Sequence, residues 1–349
     1  MTGTMKGICK MRPAVGAEYR TDIPIPQIGD DDVLMKVHAT AICGTDLHIY
    51  NWNEYAATRM KDLPMVFGHE TAGEIVEMGK NVSGYQIGER IAVETHVPCG
   101  HCLQCRIGNP HICENMHVFG VTDPGAFSEY AVVPKSCIVR LDDALSYEQG
   151  AMLEAMGAGV HGVEKAQVKG KTVLVSGCGP IGLTAISASK TFGAKQVFAC
   201  DLIDEKLEVA RKMGADAVFN SGRCDLPAEM KALTGGIGVD VAIDITGAAP
   251  AINTGLKCVR AAGRMVCVGL PSKPVTLEDM TDDLIYREVQ LTGVSGRKIW
   301  ETWEDFAKVV QGPWYKMDQV IGGRFALEDY EKALEQIRAG VPGKMILYP

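Results

Sequence analysis

The sequence lacks any run of eighteen consecutive apolar residues, which argues against a membrane-spanning helix. It also lacks an excess of positive charge. Its 35 Lys and Arg residues stand against 43 Asp and Glu, and a net charge of −8 argues against a nucleic-acid partner. The N-terminus has no apolar stretch typical of a secretory signal. We therefore expect a cytoplasmic globular protein with neither a membrane nor a nucleic-acid partner.

Cysteine is what the sequence does contain, with 12 residues in a chain of 349. In a reducing compartment cysteines bind metals or remain free thiols. Cys99, Cys102, Cys105 and Cys113 lie close together in the run CGHCLQCRIGNPHIC. Four thiolates at this spacing can surround one zinc ion and leave no open position, so the run predicts a structural zinc lobe at about residues 95–115. Disulfides or unrelated thiols are the alternative.

The two halves of the chain differ in their pattern of apolar and turn-forming residues, and a length of 349 residues favours two domains. Residues 1–150 contain short β-branched runs separated by Gly, Asn, Asp and Pro, which predicts a β-rich unit. Residues 151–293 alternate apolar strands with helical patterns, and this predicts an α/β, doubly wound parallel sheet. Residues 294–349 are mixed, and we expect their last strand, GKMILYP, to rejoin the first domain.

A glycine-rich turn joins the first strand of the parallel sheet to a helical pattern. Gly177, Gly179 and Gly182 form G-x-G-x-x-G directly after the apolar run Val173–Ser176. The first glycine permits a tight turn, the second lets the backbone approach a pyrophosphate, and the third lets the helix pack on the strand. The free N–H groups of the helix N-terminus then favour phosphate binding. This context predicts a dinucleotide site, with a plain tight turn as the alternative.

An acidic residue ends the next strand and bears on the choice of dinucleotide. Asp201 follows Gly182 by nineteen residues, where a carboxylate accepts hydrogen bonds from the adenosine ribose and repels a 2′-phosphate. The sequence therefore predicts NAD in preference to NADP. Lys206, one helical turn further on, either touches the same ribose or is a solvated helix lysine.

A second set of metal-type residues lies in the β-rich unit. Cys43 stands in AICGTDLHIY, and His69 and Glu70 stand in VFGHETAG. Cysteine, histidine and carboxylate ligands suit a catalytic zinc, which needs only three protein ligands and one open position. A buried cysteine beside a hydrogen-bonded His–Glu turn explains the same residues. The spacing alone leaves both interpretations open.

The order of the motifs resolves this ambiguity through a family resemblance. An ICGTDLH segment, a GHETAGEIVEMGKNV segment, a four-cysteine lobe and a G-x-G-x-x-G resemble the zinc-dependent medium-chain alcohol and polyol dehydrogenases. The pattern GHE-x2-G-x5-G-x2-V of that family is met in full by Gly68, His69, Glu70, Gly73, Gly79 and Val82. The resemblance implies a GroES-like catalytic domain (1–150 and 294–349) split around a Rossmann domain (151–293). It also implies NAD, one catalytic and one structural zinc, a small-molecule substrate and a homotetramer.

The resemblance also implies roles for individual residues. Cys43, His69 and Glu70 would hold the catalytic zinc, with Glu154 beside or on the metal. Thr45 and His48 would relay the substrate proton. The implied cofactor contacts, besides the three glycines of the turn, are Ile181, Asp201, Lys206, Val268, Gly269, Leu270, Val294 and Ser295.

Within this family, three stretches resemble those of enzymes that oxidise L-threonine, and the resemblance implies L-threonine as the secondary alcohol, which NAD would oxidise to 2-amino-3-oxobutanoate. They are CGTDLHIYNWNEYA, VETHVPCGHCLQCR and SGRKIWETW. Arg297 in the last stretch is a candidate partner for a substrate carboxylate, with a cofactor or subunit contact as the alternative. One departure from the family is Ala155 after Glu154, where such enzymes usually carry proline. A polyol or a vicinal diol is therefore the alternative substrate.

Overall fold

The structure, a computed structural model, describes residues 2–349. The elements of the first part of the chain are β1 (Thr4–Lys10), β2 (Glu18–Pro24), β3 (Asp32–Ala41), α1 (Gly44–Asn51), α2 (Glu54–Arg59), β4 (Met65–Val66), β5 (Glu70–Met78), β6 (Arg90–Val93), β7 (His96–Val97), α3 (Leu103–Arg106), β8 (His117–Val118), β9 (Tyr130–Pro134) and β10 (Ile138–Arg140). Short 3₁₀ turns cover Pro110–Ile112 and Lys135–Cys137.

The middle part of the chain alternates helices with strands. Its elements are α4 (Tyr147–Ala166), β11 (Thr172–Ser176), α5 (Pro180–Thr191), β12 (Gln196–Asp201), α6 (Asp204–Lys212), β13 (Ala217–Asn220), α7 (Leu226–Leu233), β14 (Val239–Asp244), α8 (Ala249–Cys258), β15 (Val259–Cys267), β16 (Gln290–Gly293) and α9 (Glu301–Gln311). The last part holds β17 (Ile321–Ala326), α10 (Tyr330–Arg338) and β18 (Lys344–Tyr348). A π-helical turn covers Thr281–Ile285, and 3₁₀ turns cover Met317–Val320 and Leu327–Asp329.

The backbone divides into two compact units, residues 2–155 with 321–349 and residues 156–320. The first unit is β-rich. Its main sheet runs β10-β6-β5-β3-β18-β17, with β9 also pairing with β3, and smaller sheets run β2-β1-β4 and β7-β8. Strand β18 pairs antiparallel with β3, so the prediction that the last strand rejoins the first unit is confirmed.

The second unit is built on a six-stranded parallel sheet in the order β13-β12-β11-β14-β15-β16. The order reverses at β11, the strand that leads into the glycine-rich turn, and such a reversal creates a crevice at the carboxyl edge of the sheet. The predicted α/β class, a β-rich GroES-like unit with a doubly wound Rossmann unit, is confirmed.

The structure differs from the expected domain boundary at residue 294. Residues 294–320 group with the second unit, because the Tyr315 hydroxyl lies 3.3 Å from Thr184 Oγ1 on α5, and α9 packs on the same helix. At the start of α6, Ile203 occupies the N-cap, and the Asp204 carboxylate accepts hydrogen bonds from Asn220 (2.6 Å) and Arg223 (2.8 Å).

Candidate metal and dinucleotide sites

Two neighbouring strands bring the three candidate metal ligands of the first unit together. Ala41 at the end of β3 pairs with Glu70 at the start of β5, so Cys43, two residues after Ala41, lies beside His69. The ligand atoms of Cys43, His69 and Glu70 all lie within 4.8 Å of one another. His69 and Glu70 are buried, and Cys43 is partly exposed. One sulfur, one nitrogen and one oxygen donor, in a site that is partly exposed at Cys43, suit a zinc ion with one open coordination position.

A buried carboxylate that sequence reasoning missed orients two of these ligands. Asp46, in the first turn of α1, accepts a hydrogen bond from the Cys43 N–H at 2.8 Å, and its other oxygen lies 3.5 Å from His69 Nδ1. Burial alone would lower the pKa of His69, but the negative charges of Asp46 and Cys43 hold it well above its usual value. Because Nδ1 faces Asp46, Nε2 is the nitrogen left to bind a metal.

Glu70 is held from the opposite side by a buried lysine. Lys344 at the start of β18 donates to Glu70 Oε1 and to the Ile42 carbonyl at 3.3 Å. Glu70 Oε2 is buried and has no hydrogen-bond partner within residues 2–349. Burial raises the pKa of Glu70, the Lys344 ammonium lowers it, and Glu154 raises it again, with a net rise. A buried carboxylate oxygen without a partner fits a metal ligand.

Glu154 lies beside this cluster and not within it. Its Oε1 accepts a hydrogen bond from Thr95 Oγ1 at 2.9 Å, and the residue is buried on α4. It is near enough to affect the pKa of Glu70, but it does not belong to the set of mutually close ligand atoms. The arrangement therefore favours Glu154 as a neighbour of the metal over Glu154 as a ligand.

The two proposed relay residues lie one turn apart on α1. Thr45 is partly exposed and His48 is exposed. Asn53, which caps α2 by accepting from the Ala56 N–H at 3.3 Å, directs its amide nitrogen at His48 Nδ1 at 2.7 Å. Because the Asn53 oxygen is occupied by the cap, its NH₂ must donate and Nδ1 of His48 must accept. Asn53 thus fixes the orientation of the His48 ring, a contact that sequence reasoning did not identify.

The four-cysteine lobe is a second compact cluster, built on α3 and the following 3₁₀ turn. The four Sγ atoms lie within 4.8 Å of one another, and Cys102 Sγ lies 3.5 Å from Cys105 and 3.8 Å from Cys113. All four are free thiols, so no disulfide forms here. Backbone N–H groups lower the pKa of Cys99 to about 6, while burial raises that of Cys105 to about 12. Four convergent sulfurs with N–H···S bonds are the donor set of a closed structural zinc site.

The glycine-rich turn between β11 and α5 has the geometry that a dinucleotide loop requires. Gly177 has φ of +97°, and a Cβ on Gly182 would lie 1.8 Å from the Gly177 carbonyl oxygen. A Cβ on Gly179 would meet no protein atom within 4 Å. The N-cap of α5 is Gly179, which has no side chain to cap the first N–H groups of the helix. Uncapped N–H groups beside an open glycine fit a bound pyrophosphate.

Asp201 at the end of β12 is tied to the glycine turn. Its Oδ2 accepts from the Cys178 N–H at 2.7 Å, and its Oδ1 accepts from Leu202 (2.8 Å) and Ile203 (3.0 Å). A carboxylate has about four acceptor positions, so about one remains for a ribose hydroxyl. Lys206 lies on the first turn of α6 and is partly exposed.

The other residues with an implied cofactor contact follow the carboxyl ends of parallel strands or begin α5. Because β11, β12, β15 and β16 are parallel strands of one sheet, these positions share its carboxyl edge. They are Ile181, Val268, Gly269, Leu270, Val294 and Ser295. Leu270 is 83% exposed at this edge.

Arg297 is buried in the second unit, with only 3% of its surface exposed. Its guanidinium lies 5.9 Å from the Trp303 ring centroid, and its stem fills the space beside Gly157. Its role toward a substrate carboxylate stays a prediction.

Comparisons with known proteins follow the same division of the chain. Residues 29–143 match the sequence model of the alcohol dehydrogenase GroES-like domain, and residues 180–312 match that of zinc-binding dehydrogenases. An L-threonine 3-dehydrogenase of Pyrococcus horikoshii is 40% identical over 347 residues, covering 99% of both chains. The chain belongs to the zinc-binding alcohol dehydrogenase family. It is therefore a zinc-dependent oxidoreductase that uses a nicotinamide cofactor and a small-molecule substrate.

Solved structures of the family agree in fold. An Escherichia coli alcohol dehydrogenase complexed with NADH is 29% identical, with a TM-score of 0.88 and coverage of 99% of both chains. The 2R,3R-butanediol dehydrogenase of Bacillus subtilis is 29% identical, with a TM-score of 0.86 and the same coverage. Within residues 2–349, no helix combines the length and apolarity needed to cross a membrane.

Proposed function

We propose that this zinc-binding dehydrogenase oxidises L-threonine with NAD to 2-amino-3-oxobutanoate. The observation that carries the proposal is the 40% identity over 99% of both chains with a threonine dehydrogenase. The convergence of Cys43, His69 and Glu70 on one partly exposed site supports the chemistry. Zinc on these ligands would supply a Lewis acid for the substrate hydroxyl, and nicotinamide would take up the hydride.

The chain's own residues would position the substrate and move its proton. Asp46 holds the Cys43 backbone and faces His69, and Lys344 balances the charge of Glu70. Thr45 would accept the substrate hydroxyl proton and pass its own proton on toward His48, whose imidazole can take up a proton. Glu154, anchored by Thr95, would lie next to the reacting groups.

The cysteine lobe would hold a second, structural zinc, since its four sulfurs leave no position for substrate. The charge of Asp201 at the adenosine end would favour NAD over NADP. We also propose a homotetramer. Strand β16 lies at the edge of the parallel sheet, and Leu291 on it and Tyr286 before it are 44% and 78% exposed, which suits pairing with a second copy. The twelve free cysteines support a reducing, cytoplasmic location.

The test is formation of NADH from L-threonine, 2,3-butanediol, sorbitol and ethanol by the zinc-loaded protein. L-Threonine is expected to give the highest kcat/KM. A vicinal diol is the second candidate, favoured by the structural match to a butanediol dehydrogenase. Turnover of a diol with none of threonine would replace the first assignment by the second.

A further inference from the structure

One arginine of the first unit lies beside the proposed relay without a carboxylate partner. Arg59, the last residue of α2, is exposed, and its guanidinium carbon lies 4.0 Å from the ring centroid of Tyr55. Among the described residues no Asp or Glu lies within 4.0 Å of it, and its one side-chain hydrogen bond is a 3.4 Å contact with Thr58. Other arginines of this unit, such as Arg20 and Arg324, do pair with carboxylates.

Tyr55 connects this arginine to the candidate metal site. Burial raises the pKa of the Tyr55 hydroxyl, while the charges of Arg59 and His69 and a hydrogen bond with Thr45 lower it. The ring centroid lies 5.6 Å from that of His48. The Tyr55 ring therefore lies beside His48 of the proposed relay, and its face carries the Arg59 guanidinium.

Three chemically different groups lie around Tyr55. Cys43 and His69 offer metal ligands, Thr45 offers a hydroxyl, and Arg59 offers an unneutralised planar cation. When a substrate hydroxyl lies against Thr45, the carbon that bears this hydroxyl is the one that is oxidised. In a 2-amino-3-hydroxy acid the carboxylate lies two carbons further along, and an arginine binds a carboxylate through two parallel N–H donors. A neutral diol has no group for that cation.

We propose that Arg59, held on the face of Tyr55, binds the substrate carboxylate and makes this site selective for hydroxy amino acids over neutral diols. The inference rests on the proposed threonine oxidation and deepens it. Arg59 is assigned to substrate binding, so its effect belongs to KM and to the substrate dissociation constant more than to kcat.

The test compares L-threonine with L-threoninamide, which has the same carbon skeleton but no carboxylate charge. Arg59→Gln is expected to lower kcat/KM for L-threonine by about 10- to 100-fold, the range of a lost charged hydrogen bond. The change should appear mainly in KM, and L-threoninamide should be affected by less than about twofold. Arg59→Lys keeps the charge without the planar fork and should recover part of the loss.

Arg338→Gln is the matched control. Arg338 is also the last residue of a helix and lies 5.0 Å from a tyrosine ring, that of Tyr50, on the exposed surface of the same unit. Arg338→Gln should leave kcat/KM for both L-threonine and L-threoninamide unchanged. A calorimetric titration of NADH-saturated enzyme with L-threonine gives the dissociation constant independently of turnover, and Arg59→Gln should weaken it by the same factor as KM.

The outcomes separate the two hypotheses. If wild type oxidises threonine and Arg59→Gln leaves it unchanged, or reduces the acid and the amide equally, the role of Arg59 is wrong while the proposed function stands. If threonine binds in an Arg59-dependent way but is not oxidised, the proposed function falls and carboxylate binding stands. If wild type neither binds nor oxidises threonine, both fall.

Discussion

Replacing Asp46 by asparagine should damage the catalytic metal site although the two side chains are nearly equal in size. Asp46 now accepts from the Cys43 N–H at 2.8 Å and lies 3.5 Å from His69 Nδ1. In Asp46→Asn the amide oxygen must keep the Cys43 bond, because an NH₂ group cannot accept it. The NH₂ then faces His69 Nδ1 and favours the tautomer with its proton on Nε2, the nitrogen left for the metal.

The magnitude follows from the contacts that are lost. Removal of one partner that orients a metal-bound histidine typically lowers metal affinity by about 10- to 100-fold. That range equals about 1.4–2.8 kcal/mol, close to the roughly 1.5–3 kcal/mol of one hydrogen bond to a charged group. Asp46→Ala offers no donor to His69, so its metal affinity should fall less than that of Asp46→Asn. Its folding stability should fall more, because a buried group is deleted.

The assay is zinc competition against a chelator of known affinity, with zinc counted per chain. The cysteine lobe of the same molecule is the internal control and should keep its metal in both variants. Wild-type affinity in Asp46→Asn, or a larger loss in Asp46→Ala, would refute the tautomer argument. A loss of both zinc ions together would indicate unfolding and would likewise contradict the tautomer argument.

The fold could be predicted because the sequence shows a regular spacing of apolar residues within each element and turn-forming residues between elements. Strands β11 and β12 are short apolar runs, and α9 places Trp303, Phe306 and Val309 on one buried face at three-residue spacing. The boundary between the units at residue 320 could not be predicted from the sequence. The segment from 294 attaches to α5 through side chains such as Tyr315, and periodicity does not report such contacts.

The candidate site likewise contains one residue that the sequence could have identified and one that it could not. Asp46 could have been found, since it lies three residues after Cys43, within the first turn of a helix that begins directly after it. Lys344 could not, because it is 274 residues from Glu70 and reaches it only where β18 joins β3, the neighbour of β5. A polar residue near the end of a chain carries no sign of the strand that it will join.

Three further predictions concern the lobe, the cofactor and a buried charge. Cys102→Ser should lower melting temperature or solubility while catalytic zinc persists in the folded fraction; unchanged stability and zinc content would contradict a structural site. Asp201→Ala should reduce kcat/KM with NAD and narrow its advantage over NADP, and a wild-type preference for NADP would exclude this role. Lys10, which is fully buried and donates to three backbone carbonyls, has its pKa lowered by burial to about 8. Unfolding returns this pKa to its ordinary value near 10.5, so between these limits the unfolded chain binds more protons and stability rises with pH. The full shift corresponds to about 3 kcal/mol, which we reduce to about 2 because the adjoining loop is exposed and solvent screens the charge. The free energy of unfolding of wild type minus that of Lys10→Met should therefore increase by about 2 kcal/mol from pH 8 to pH 10.5. A difference that stays flat over this range would show that Lys10 is not a desolvated cation in the folded protein.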